Sequence, residues 1–98
     1  CNMDYRISVS TIFQGRNYPD AGDVLYSVLN DNLDKQDRII LDFKDVTLVP
    51  SMFLNTSLGK IIGERGAGII RQKIAFSNIS ASQIAHIREY VQRFEQPC

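Results

Sequence analysis

Apolar and polar positions change their period along the chain, and the changes divide it into elements. From Tyr5 to Phe13, apolar Tyr5, Ile7 and Val9 alternate with polar Arg6, Ser8 and Ser10 before the phase shifts near Thr11. Alternation among β-branched and aromatic residues predicts a half-buried strand, of the kind found at a sheet edge. Residues 14–19 carry loop chemistry. Asp20 then suits a helix N-cap, because a carboxylate accepts from the free amides of a first turn. Val24, Leu25, Val28, Leu29 and Leu33 recur at helical spacing, so the first helix is predicted over residues 21–33.

Arg38 to Phe43 is a short run, apolar from Ile39 to Leu41 and ending in Asp42 and Phe43. Such a run between helices fits a strand covered on both faces. Residues 44–47 form a turn, and Leu48 and Val49 add a brief extended segment. Pro50 biases Val49 away from helical angles, so the second helix is expected to begin after it, with Ser51 as N-cap. Leu54, Leu58, Ile61 and Ile62 form its apolar stripe, closed at the N-terminal end by Met52 or Phe53. The glycines at 63, 66 and 68 end this helix, one of them in a left-handed conformation.

A third strand is predicted over residues 69–76, with Ile70, Ile74 and Phe76 in the core. Ser80 and Gln83 have the spacing of a capping box, and Ile79 and Ile84 that of a hydrophobic staple across it. Ile84, Ile87, Val91 and Phe94 give the last helix its buried stripe before Pro97 stops it. The order β-α-β-α-β-α predicts an α/β fold: a small, mostly parallel or mixed sheet with helices packed against it. The first strand is the candidate for antiparallel pairing. A sheet this small leaves an apolar helix face open, which favours a homodimer.

Length and composition limit what this fold can do. With 98 residues, 44% of them hydrophobic, the chain suits one domain over residues 1–98 with one core. Lys+Arg and Asp+Glu number 11 each and no basic cluster appears, which argues against a nucleic-acid partner. No apolar run is long enough to cross a bilayer and nothing resembles a signal peptide, so the expectation is a cytoplasmic protein without a membrane partner. A start at Cys1, with no initiator Met, is what a trimmed chain would show. Cys1 and Cys98 lie at the two ends and have no metal-ligand spacing. The sequons at Asn55 and Asn78 are chance matches in a chain without a secretory signal.

Candidate chemistry is sparse. The one histidine, His86, falls in the middle of the last helix, away from any strand end where a triad would assemble. Asp42 and Asp45 stand at the C-terminal end of a strand, where open α/β sheets bind ligands, but Asp there is also ordinary turn chemistry. The glycines at 63–68 follow a helix and precede a strand, the reverse of a phosphate loop. No enzyme, cofactor or metal site is expected. Ser51 remains: a helix cap, or a hydroxyl whose phosphate a helix N-terminus would stabilise.

Around this junction the residues Leu41, Asp42 and Phe43, then Val46, then Ser51, Met52 and Phe53 resemble a small bacterial family of uncharacterised STAS-like domains, related in fold to the anti-sigma-factor antagonists. Gly15, Arg16 and Gly22 match more loosely. The resemblance implies a regulatory or protein-interaction domain, with a histidine-kinase-like ATPase as the partner class. It places Ser51 where antagonists carry a phosphorylated serine. Pro50 stands in place of the acidic residue before it, Met52 of a second serine and Phe53 of a glycine, so the motif that a kinase would read is largely absent. The candidate switch or interaction residues are therefore Asp42, Pro50, Ser51, Met52, Phe53, Asn55 and Thr56. A small-ligand or nucleotide-binding module at the strand ends near Asp42 and Ser51 is the alternative, and a structural oligomerisation domain is a third reading.

Overall fold

The computed structural model describes residues 4–95, so Cys1, Pro97 and Cys98 lie outside the described residues. Three strands, β1 (Asp4–Ser8), β2 (Arg38–Asp42) and β3 (Ile74–Ser77), form one sheet in the order β1-β2-β3, with both pairs parallel. The first strand is therefore parallel, not antiparallel. Among the described residues six helices connect and follow them: α1 (Val9–Phe13), α2 (Tyr18–Asn32), α3 (Ser51–Thr56), α4 (Leu58–Arg65), α5 (Gly68–Lys73) and α6 (Ala81–Glu95). The fold is α/β, with helices packed against a small parallel sheet.

Register decides which residues meet. Tyr5, Ile39 and Ile74 are aligned across the sheet, as are Ile7, Leu41 and Phe76, so these share one face. Ile7, Ile39, Leu41 and Ile74 on it are buried beneath the helices. The opposite face carries Arg6, Ile40, Asp42, Ala75 and Ser77, all exposed or half-buried. β2 is thus covered on one face rather than both; its apolar run reflects a half-buried Ile40 flanked by two core residues.

Four elements depart from the periodicity reading, each for a local reason. Val9–Phe13 is a helix, and the phase shift near Thr11 is the change from strand to helical period: Val9 and Ile12, three apart, are both buried. α2 begins at Tyr18 because Asn17 caps it, its Oδ1 accepting from the Asp20 N–H at 2.9 Å, while Pro19 fits a first turn whose amides need no partner. Residues 68–73 coil into α5, where Ile70 and Ile74 lie one turn apart, and only Ile74–Ser77 pairs as strand. Leu48 and Val49 join no strand.

The second helix breaks at Ser57, whose backbone (φ −119°, ψ −89°) separates α3 from α4. The Ser57 hydroxyl is buried and donates to the Phe53 carbonyl at 2.7 Å, so this buried hydroxyl has its partner at the break. Gly66, with φ +91° and ψ 157°, ends α4 in a positive-φ but extended conformation, not the left-handed helical one. Across the helix layer, α2 and α3 approach so closely that a Cβ on Gly22 would stand 1.7 Å from Thr56 Oγ1. On the layer's outer side Arg65 pairs with Asp34 at 3.0 Å and holds that carboxyl below its usual pKa. The ammonium of Lys73 donates to the carbonyls of Leu33 and Gln36 just past α2.

The capping box forms as the spacing predicts. Ser80 Oγ accepts from the Gln83 N–H at 3.2 Å, and Gln83 Oε1 accepts from the Ser80 N–H at 3.0 Å. Ile79 and Ile84 are both half-buried. Phe94, expected in the buried stripe, is 50% exposed and stacks obliquely on Tyr90 instead. Tyr90 takes its place in the core, with Ile87 and Val91.

Candidate functional site

The chain between β2 and α3 is drawn tight by short local bonds. Asp45 takes a positive φ of 66°, a conformation that Asp tolerates in turns, and the Val46 N–H closes the turn on the Phe43 carbonyl at 3.0 Å. Val46 and Val49 are buried, which leaves Leu48 pointing outward at 60% exposure. From the other side, Gln83 Nε2 donates to the Val46 carbonyl at 2.7 Å. The side chain that completes the cap of α6 therefore also fixes the loop against that helix.

Between loop and helix lies an open groove of about 430 Å³, lined by Leu48, Val49, Pro50 and Ser51 on one wall and Ser82, Gln83 and His86 on the other. No acid, lysine or arginine lines it. Two hydroxyls and an imidazole share the groove, but the carboxylate that would orient the imidazole in a triad is missing from its walls. Ser82 and His86 are four residues apart on one face of α6, a spacing visible in the sequence; their meeting with Ser51 depends on the tertiary fold. A smaller cavity of about 210 Å³ lies on the far side of Leu48, where Phe13, Arg16, Tyr18 and Asp45 are among its lining residues.

The seven candidate residues separate into groups. Ser51, at the first position of α3, and Met52, 57% exposed, face outward, and Pro50 is half-buried. Pro50, not Ser51, occupies the N-cap position, and no side chain caps this helix. Phe53 points the other way, buried in the core with its ring 4.8 Å from that of Phe13, and so it is Phe53 that closes the apolar stripe. Asn55 and Thr56 are taken up by structure: Asn55 Oδ1 accepts from the Tyr90 hydroxyl at 2.6 Å, and Thr56 Oγ1 donates to the Pro19 carbonyl at 3.0 Å.

Asp42 belongs to a different cluster, at the end of β2 on the uncovered sheet face. Its Oδ1 accepts from Asn78 Nδ2 at 2.9 Å and from the Lys44 N–H at 3.0 Å, and its Oδ2 from Arg6 Nε at 3.3 Å. Arg6 also reaches Ser77 Oγ at 2.8 Å. These partners, the Asn78 amide first, hold the Asp42 carboxyl below its usual pKa. Asn78, like Asp45, has a positive φ, here 53°. Asp42 lines neither the Ser51 groove nor the cavity that Asp45 lines. Among the described residues no three His, Cys, Asp or Glu side chains are grouped to hold a metal, and no helix is long and apolar enough to cross a membrane.

A small parallel sheet with helices packed against it is consistent with a STAS-like fold. The model of the family described as "STAS-like domain of unknown function" matches residues 21–83, from α2 through the capping box, and the chain belongs to that family. No curated protein and no solved structure matches it.

Proposed function

We propose that this domain works by binding a protein rather than by catalysis, and that the partner seats on the surface made by Leu48, Pro50, Ser51 and Met52 with the Ser82–His86 face of α6. One observation carries the reading. Leu48 and Met52 are the two most exposed of the large hydrophobic residues described, at 60% and 57%, and they stand on either side of Pro50 and Ser51. Exposed apolar side chains at the two ends of a braced junction are what an interface core needs. No acid, lysine or arginine lines the groove beside them, so its chemistry favours an apolar and hydroxyl-rich counterpart. A regulatory role, a histidine-kinase-like ATPase as the partner class and a cytoplasmic setting rest on the STAS resemblance. Phosphate on Ser51 would place about two negative charges at the centre of this surface and act as a switch.

Pull-down against ATPase-type kinases tests the surface. Leu48→Glu with Met52→Glu is expected to weaken capture at least tenfold while the melting temperature stays put. Capture unchanged by substitutions throughout residues 48–56 and at His86 would sink the assignment. Phosphate labelling of the wild type against Ser51→Ala decides the switch separately.

A further inference from the structure

A second surface lies away from the Leu48–Met52 loop and does not rest on the reading above. β3 pairs only with β2, so its outer edge is open among the described residues. The Ser77 carbonyl accepts from the Phe43 N–H on the β2 side at 2.9 Å. Peptide groups alternate sides along a strand, so Phe76 turns its N–H and C=O outward. Ile74, two residues back, gives its N–H to the Ile70 carbonyl, but Phe76 has no such neighbour among the described residues. Directly beside this edge is a cleft of about 450 Å³ between β3, α5 and α6. Its apolar lining comes from Ile70, Ile74, Phe76, Ile84, Ile87 and Val91. Arg71 and Arg88 also line it, and the Arg88 guanidinium makes no ion pair or hydrogen bond among the described residues.

We propose that this cleft receives an extended segment of a partner protein, which adds to β3 as a fourth strand. The open peptide edge specifies extended backbone, because an alkyl chain would leave the Phe76 N–H and C=O unsatisfied. The apolar cleft on one side of the edge, with the uncovered sheet face on the other, specifies alternation: apolar side chains on the cleft side, polar ones on the other. Arg88 specifies an acidic residue at the end of the segment.

Three blocked peptides test it: Val and Thr in alternation over seven residues with a terminal Glu, the same with a terminal Lys, and the Glu form with the amides of one edge N-methylated. Binding is read by fluorescence anisotropy and by hydrogen exchange at the Phe76 amide. The expected result is saturable binding of the Glu peptide, at least tenfold slower exchange at Phe76, several-fold weaker binding of the Lys peptide and none of the methylated one. Arg88→Glu, at an exposed position, is expected to abolish the Glu–Lys preference. Equal binding of the methylated peptide, or decanoate binding in place of peptide, overturns the proposal in favour of an amphiphile cleft. A Phe76 amide already protected in the free protein overturns it too, because the edge is then filled by the chain itself or by a second copy.

Discussion

The phenol of Tyr90 donates a 2.6 Å hydrogen bond to Asn55 Oδ1, joining α6 to the short helix behind the exposed loop. Gly59 makes the approach possible, since a Cβ there would stand 2.5 Å from the Tyr90 oxygen. Burial pushes the phenol's pKa up, in keeping with a hydroxyl held away from water. Tyr90→Phe is expected to cost about 1 kcal/mol, the net worth of one such bond. Chemical denaturation of the two single variants and the double variant with Asn55→Ala checks this: the pair should be non-additive, because both substitutions remove the same bond.

Gly22→Ala should be far more damaging than a methyl on a helix usually is. The added carbon meets the Phe53 carbonyl at 2.6 Å as well as the Thr56 side chain, and backbone cannot step aside as a side chain can. Overpacking of this kind costs about 1–3 kcal/mol. Adding Thr56→Ala removes the Oγ1 clash but leaves the Thr56 Cβ at 2.9 Å and the Phe53 carbonyl at 2.6 Å, so thermal denaturation should show partial rescue only.

Much of this was legible in the chain, and the gaps have physical causes. The helices over 21–33 and after Ser80 were readable because long amphipathic stripes and a reciprocal cap leave a clear trace. Short apolar runs were not. Ile69 and Ile70 fit a strand as well as a helix until Ile74, one turn on, is seen to share their core. The loop around Pro50 was readable as a junction. That Phe53 turns inward while Met52 turns outward depends on the rotation of α3 against Phe13. The grouping of Ser51 with His86 depends on the Gln83 bond to Val46, between residues 37 apart.

Acid should weaken the fold through the carboxylate at the end of β2. Asp42 has a lowered pKa in the folded state, because the Asn78 amide, the Lys44 N–H and Arg6 all favour its charged form. Its stabilising contribution is therefore complete above the unfolded value of about 3.9 and is lost as pH falls through the lower folded value. Asp34, lowered by Arg65, adds in the same direction. Stability measured by urea denaturation between pH 6 and pH 3 should fall below about pH 4. Asp42→Asn should be less stable than wild type at pH 6 and show a shallower decline.

Leu48→Ser and Met52→Ser are expected to leave stability within about 0.5 kcal/mol of wild type, since both side chains are largely in solvent already. Phe53→Ala, one residue on, should cost about 3–5 kcal/mol, because its ring is 1% exposed and a cavity replaces it. Thermal melts of the three variants separate the outward and inward sides of the same turn.

The break at Ser57 has a mechanical consequence. It leaves α3 only six residues long, too short to hold a helical shape by itself. Its form is set by Phe53 and Leu54 in the core, Asn55 on Tyr90 and Thr56 on Pro19. The segment is therefore less a free-standing rod than a small plate pinned to two different helices. Thr56 ties it to Pro19 at the start of α2, and Asn55 ties it to Tyr90 in the far half of α6.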